Sequence, residues 1–449
     1  MSPVRVAIVG AGPAGFFTAD ALLRVASPEF EVDLFERLPT PFGLVRSGVA
    51  PDHQKIKGVT RTFEKTAKHG RFRFFGNVTV GRDLSADELA AHYDQVVYAV
   101  GSSTDRRLGI PGEELAGCHA ATAFVGWYNA HPDFKEFPFN LDVQRAVVVG
   151  AGNVAIDIAR VLLRDRDELA KTDISHAALE ALRASPIREV VLLARRGAAH
   201  AAFTPAELED LGELESISVR IDPAQLQLDE AQLAALDVPA RRNLELMRKL
   251  AASPREAPRT LKLEFLGSPV ELIDDGSGRV CGVRVERNEL VGDKARGTGN
   301  VFELSAGLVF RSIGYFGEPL PGVPFDAKGG IIPNVDGRVT RTPGGEVVPG
   351  CYAVGWIRRS PTGVIGTNKA DGQAVSQRMV EDVPKLAGRA VRPFSELAGL
   401  LAHRGLKVTT FSEWAKLDAL EVAAGQDKGK VREKFASVAA MMNELLRAK

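Results

Sequence analysis

Gly10-Ala11-Gly12-Pro13-Ala14-Gly15 follows directly on an apolar run, Val4–Val9. A second turn, Gly150-Ala151-Gly152-Asn153-Val154-Ala155, follows the apolar run 146–149. Glycines between a strand and a helix let the backbone turn tightly and approach a pyrophosphate, which then rests on the N–H groups of the helix start. What comes after each turn differs. The next apolar run, 31–36, ends in Glu36, whereas the run 189–194 is followed by Arg195 and Arg196. A carboxylate in that place accepts from a free ribose 2′-hydroxyl, and arginines accommodate a 2′-phosphate. The two turns together point to a flavoprotein that holds FAD at the first and takes a hydride from NADPH at the second.

Such residues need two strand–turn–helix units to position them. The expected fold class is α/β, with two Rossmann-like dinucleotide-binding domains and the NADP domain inserted into the FAD domain. The first unit reads as strand Val4–Val9, helix 13–26 and strand 31–36, followed by the apolar loop 39–46. Residues 53–69 read as a helix, 71–80 as extended chain and 95–100 as a buried strand ending at Gly101. A polar connector, 101–107, marks the first crossing. The second unit spans 145–196 and carries a charged insertion, 164–187, which lengthens the usual spacing of about 20 residues to the ribose reader. Residues 261–311 read as short extended segments, and Gly314-Tyr315-Phe316-Gly317 marks the return. A short strand at 351–354, a helix from 363 to 382 and a mostly helical tail, 393–449, complete the chain. The boundaries expected are 1–105 with 326–449 for FAD, and 106–325 for NADP.

The bulk composition fits this plan. The chain has 449 residues, 57 basic and 57 acidic, and 45% hydrophobic residues, enough for two or three cores. No global basic bias suggests nucleic acid, and no apolar run reaches the roughly 18 residues of a membrane span. The first strand begins within a few residues of Met1, leaving no room for a leader, so a cytoplasmic setting is expected. Cys118, Cys281 and Cys351 lie far apart. They form no Cys-x-x-Cys dithiol and no iron–sulfur cluster motif. Electrons must then leave from the flavin itself.

Three further features bear on the site. Gly355-Trp356 precedes Gly363-Val364-Ile365-Gly366, and a helix starting near 364 would aim free N–H groups at a flavin edge. Trp356 is a candidate cover for the ring, or else a core tryptophan. His53, after the apolar loop, would titrate near neutrality as a proton carrier, or else serve the loop's structure. The stretch 239–262 is strongly basic, with Arg241, Arg242, Arg248 and Lys249 among its residues. It suits either an acidic partner or a solvated helix face.

Beyond these readings, the chain resembles the adrenodoxin-reductase-type NADPH–ferredoxin reductases, bacterial members included, over essentially its whole length. The likeness rests on Pro41-Phe42-Gly43-Leu44-Val45-Arg46-Ser47-Gly48-Val49-Ala50-Pro51-Asp52-His53 and Gly152-Asn153-Val154-Ala155-Ile156-Asp157. It rests also on Arg195-Arg196-Gly197, on Ser312-Ile313-Gly314-Tyr315, and on Gly355-Trp356 with Pro361-Thr362-Gly363-Val364-Ile365. The resemblance implies that Gly10, Gly12, Ala14, Gly15, Glu36, Leu44, Val80, Trp356, Gly363, Val364 and Ile365 line FAD. It implies NADP contacts from Gly152, Asn153, Val154, Arg195, Arg196 and Glu207, and places His53 and Asp157 where flavin meets nicotinamide. It also implies a small acidic iron–sulfur partner, a ferredoxin that could serve a cytochrome P450. No metal site and no oligomer beyond a monomer are expected. Two places depart from the family pattern: Asp210 stands where a glutamate is common, and Ala151 where some members are polar. The alternatives are an NADPH–quinone or dye reductase, a glutamate-synthase small subunit without its cysteine-rich region, and a sensor that keeps FAD and NADP as structural ligands.

Overall fold

A computed structural model describes residues 3–137 and 139–447. Val4–Val9 is apolar because it is covered on both faces, and Val6, Ala7 and Ile8 expose nothing. A strand of that kind belongs inside a parallel sheet. It lies between Phe30–Phe35 and Gln95–Tyr98, parallel to both. The full sheet runs Asn334–Val335, Arg338–Thr340, Val347–Ala353, Gln95–Tyr98, Val4–Val9, Phe30–Phe35, Phe72–Phe75. Strands from the two ends of the chain therefore share one sheet.

Between those visits the chain builds a second sheet, in the order Cys118–Ala120, Leu308–Arg311, Arg145–Val149, Glu189–Leu193, Arg259–Glu264, Ile217–Ile221. All of its pairs are parallel. One nucleotide-binding domain is thus inserted into the other. The two crossings pair with each other as a short antiparallel ribbon, Thr104–Asp105 against Tyr315–Phe316. In both sheets the strand before the glycine turn has its neighbours on opposite sides, the arrangement that opens a crevice at the strand ends.

Four elements differ from expectation. The helix expected over 53–69 is two, Gln54–Lys57 and Thr60–Ala67. Between them Val59, Arg61 and Thr62 donate to carbonyls only three residues back, a tightened turn. That turn sends Lys57 inward, where its ammonium meets Asp173 at 2.7 Å. The insertion 164–187 contains two helices, Arg166–Ala170 and His176–Ala184, each started by a capping side chain, Asp165 and Ser175. The segments expected to be short over 261–311 include two 12-residue strands, Val280–Val291 and Lys294–Ser305. With Gly267–Asp274 they form an antiparallel sheet whose Leu272, Val283 and Val285 pack on Val147, Val149 and Val191. The late helix starts at Thr367 rather than near 364, because Gly363 has φ +78° and residues 364–366 form a separate turn.

The C-terminal part ties the domains together. Lys434 reaches the same Asp173 carboxylate as Lys57, at 3.0 Å, and donates to the Arg46 carbonyl. Among the described residues no helix is long and apolar enough to cross a membrane, and the three cysteines are unpaired.

Candidate functional site

The first glycine turn is built around contacts that only glycine allows. Gly10 has φ +108°, and a Cβ on it would lie 2.5 Å from the Ala99 carbonyl oxygen. A Cβ on Gly15 would lie 2.2 Å from the Gly10 oxygen, so the helix Pro13–Leu23 sits hard against the turn. Gly12 is the opposite case, with nothing within 4 Å of its Cβ position. That open approach, at the start of a helix, is what a pyrophosphate needs. Glu36 stands beside it, half-buried, its carboxylate accepting from the Ala11 N–H at 3.0 Å and the Leu38 N–H at 3.1 Å. Burial raises the Glu36 pKa against these hydrogen bonds.

Two distant segments close on this turn. The apolar loop comes back through a hydrogen bond from the Phe42 N–H to the Ala11 oxygen, which leaves Leu44 37% exposed. From the far end of the chain, Gly355 approaches so closely that a Cβ there would meet Ala14 Cβ at 2.6 Å. Trp356 follows, its ring 5.0 Å from Tyr315, and its indole N–H is buried without a partner among the described residues. Gly363 and Ile365 lie in the turn before the late helix with Val364, which is 57% exposed. Val80 is a packed residue of the FAD-domain core, 6% exposed. An orphaned donor, exposed aliphatic side chains and an open glycine fit an aromatic ring attached to a dinucleotide.

The second turn repeats the pattern with one change. Gly150 has φ +140°, and its Cβ would fall 2.1 Å from the Ser312 oxygen, while Gly152 again faces open space. Ala155 replaces the third glycine and is fully buried. The chain at 202–204 fastens onto this turn: Ala202 and Phe203 donate to the Ala151 oxygen, and Thr204 N–H to Asn153 Oδ1 at 2.8 Å. Val154 opens the helix partly buried. Arg195 and Arg196 follow the strand Glu189–Leu193, one exposed and one half-buried. Asn288 and Leu266 hold their backbone carbonyls, but among the described residues neither guanidinium has a partner.

At the boundary of the two domains lies a buried charge cluster. His53 Nε2 is 3.0 Å from Glu207 and 3.3 Å from Asp157, so the histidine of one domain meets both acids of the other. Arg160, 1% exposed, lies among them and bonds to Asp157 (2.6 Å), Glu207 (3.1 Å) and Asp52 (2.6 Å). Burial works to lower the His53 pKa, but the hydrogen bonds to Asp157 and Glu207 outweigh it and push it up to about 9. The ligand atoms of His53, Asp157 and Glu207 fall within 4.8 Å of one another, a spacing open to a metal ion, but the Arg160 guanidinium already supplies the positive charge there. Arg160, Arg164 and Asp52 were missed by sequence reasoning. The signal for the two arginines was a charged stripe, Asp157, Arg160 and the C-cap Arg164, on a largely apolar helix; Asp52, in a loop, carried none of its own.

The basic stretch is a helix, Val238–Ala252. Arg241, Arg242 and Lys249 are exposed and Arg248 is half-buried. Arg242 is paired with Glu209, and Arg241 and Arg248 donate to the Leu233 and Leu226 carbonyls.

Comparison with known proteins agrees with this geometry. A family model described as pyridine nucleotide-disulphide oxidoreductase matches residues 4–209. NADPH-ferredoxin reductase FprA of Mycobacterium tuberculosis is 47% identical over 459 residues, covering 98% of this chain and 99% of its own. The human mitochondrial NADPH:adrenodoxin oxidoreductase is 42% identical over 458 residues, covering 98% and 92%. A solved structure of the mycobacterial FprA in complex with NADPH matches with a TM-score of 0.93 at 46% identity, covering 99% of this chain and 100% of that one.

Proposed function

The chain belongs to the NADPH–ferredoxin reductases of the adrenodoxin-reductase type, and from that premise we propose how its residues divide the work. It is an FAD-dependent enzyme that oxidises NADPH and reduces an iron–sulfur protein of the ferredoxin or adrenodoxin class. When bound, FAD supplies the redox chemistry, accepting a hydride and passing electrons on singly. The observation that carries the assignment of the two nucleotide sites is the contrast between Glu36 and the unpaired Arg195 and Arg196.

Gly10, Gly12, Ala14, Gly15 and Glu36 hold the FAD pyrophosphate and ribose. Leu44, Val80, Trp356, Gly363, Val364 and Ile365 enclose its ring, with the Trp356 indole N–H as a free donor. Gly152, Asn153 and Val154 present the helix start to the NADPH pyrophosphate, and Arg195 and Arg196 clamp the 2′-phosphate. His53 and Asp157 stand at the domain boundary and hold a proton between the two sites. Glu207 uses one carboxylate oxygen, Oε2, on His53 and Arg160, so it orients the histidine while its other oxygen serves the NADPH side of the boundary. The chain divides at 105/106 and 325/326 and works as a monomer. The unpaired thiols support a reducing, cytoplasmic setting. Arg241, Arg242, Arg248 and Lys249 form the face that attracts an acidic ferredoxin, with Arg242 sharing its charge with Glu209.

An anaerobic titration tests the assignment. The purified yellow protein should bleach faster with NADPH than with NADH, and a low-potential [2Fe–2S] ferredoxin should restore the colour. Bleaching with no transfer to any ferredoxin would make the chain a quinone or dye reductase. No bleaching would overturn the redox role of the two turns.

A further inference from the structure

Arg160 belongs to no nucleotide-binding motif, yet it sits where the two domains meet. Its guanidinium is 1% exposed and bonds to an acid from the FAD-domain loop, Asp52, and to two from the NADP domain, Asp157 and Glu207. One of its nitrogens, Nη2, also lies against His53 Nε2 in a short contact. That nitrogen has two hydrogens but faces three acceptors: Asp52 Oδ1 at 3.1 Å, Asp157 Oδ1 at 2.6 Å and the histidine ring.

His53 Nε2 is therefore contested. It can carry a hydrogen and donate to Glu207 at 3.0 Å, or it can accept from Arg160, and it cannot do both. We infer that Arg160 is a positioning residue for His53, pressing a cation on the ring nitrogen that Glu207 and Asp157 would otherwise keep protonated. The inference rests on the reading of His53 as the proton-holding group at the domain boundary, and it adds the residue that makes the proton releasable.

The surroundings leave little else to play that part. Asp52 belongs to the same loop as His53. Asp157, Arg160 and Arg164 come from the helix Asn153–Leu163 and its C-terminal cap, and Arg164 is bonded to Asp52 at 2.8 Å. Glu207 comes from the helix Pro205–Glu213. Tyr128 and Tyr315 lie within electrostatic reach of Asp157, and burial raises both phenols, so neither is charged near neutrality. Three carboxylates thus face two guanidiniums and the histidine. Without Arg160 the ring would be left to the acids, and a cation beside an ionisable ring disfavours its protonated form.

The test is a pH titration of the histidine ring resonances in the oxidised, FAD-bound full-length protein. The chain has eight histidines, and the His53 signal is the one missing from His53→Gln. In Arg160→Gln the His53 midpoint should rise by about one pH unit, and in Arg160→Lys, which keeps the charge but loses the fork, by about half as much. If Arg160→Gln does not fold, Arg160→Lys alone decides. A His53 midpoint unchanged in the folded variants would overturn the inference and leave Arg160 as a structural tie. NADPH bleaching of the unsubstituted protein is followed on the same samples. Absent bleaching would sink the functional reading while the titration still reports on Arg160.

Discussion

The two glycine turns are alike in backbone and opposite in the charge that follows the next strand, an acid at Glu36 and two bases at Arg195 and Arg196. Glu36 is held in place by two backbone N–H groups before any ligand arrives, and the Phe42 loop and Gly355 close over the same turn. Among the described residues the Arg195 and Arg196 guanidiniums have no partner, and Arg195 is exposed. An anchored, enclosed carboxylate loses little freedom on binding, whereas two arginines without a partner must be ordered each time, at a cost of about 1 kcal/mol or more per side chain. The difference suits the division of labour in this enzyme. A cofactor kept through turnover suits the first turn, and a nucleotide substrate that must be released suits the second.

The contrast is broken most severely at the first glycine of each turn. Gly10→Ala and Gly150→Ala each drive a Cβ against a backbone carbonyl at positive φ. Neither oxygen can give way without moving a strand end, so each change should cost about 3 kcal/mol or more. Their outcomes should still differ. Gly10→Ala should emerge colourless, read by flavin absorbance, while Gly150→Ala should stay yellow and fail to bleach with NADPH. Gly12→Ala and Gly152→Ala are the matching controls. Both positions have ordinary negative φ and open space around the Cβ. The apoprotein should melt within about 0.5 kcal/mol of the original, yet lose about a hundredfold in affinity for the nucleotide at that turn. Loss of stability in these controls would mean that the space is not a ligand cradle.

Next in size is the double change Arg195→Gln with Arg196→Gln. Two charge-assisted contacts to a phosphate are worth enough to weaken NADPH binding by about a hundredfold, with NADH altered only a few-fold. Equal loss for both nucleotides would remove the arginines from the 2′-phosphate.

Both glycine turns, and the strand ends that carry Glu36 and Arg195, were legible in the sequence because each is a local pattern, a glycine spacing or the residue that ends an apolar run. The long hairpin was less so. Lys294–Ser305 is exposed along most of its length, so a sustained alternation of covered and solvent-facing residues is confined to 302–305. The break at Gly58 was hidden because its cause lies more than a hundred residues away, in the Asp173 that Lys57 must reach. Arg160 was illegible for the same reason. Its partners Asp52 and His53 come from another domain, and only the meeting of the two domains turns a helix stripe into a cluster.

The smallest effect is expected where the two domains meet, at His53. His53 is held near pKa 9 in the folded chain against an ordinary value of 6.5. A histidine whose proton is bound more tightly when folded contributes stability that is complete below pH 6.5 and is lost as pH rises through 9. The thermal midpoint of the original protein should therefore fall, relative to His53→Gln, by about 2 °C across that window. Arg160, on the same nitrogen, already holds that shift below what Asp157 and Glu207 alone would give. Adding Arg160→Lys should steepen the fall, since the ring then binds its proton more tightly. Parallel curves for the original protein and His53→Gln from pH 6.5 to 9 would mean that His53 holds no excess proton. The two sites would then be joined by packing alone, with no shared charge between the enclosed turn and the open one.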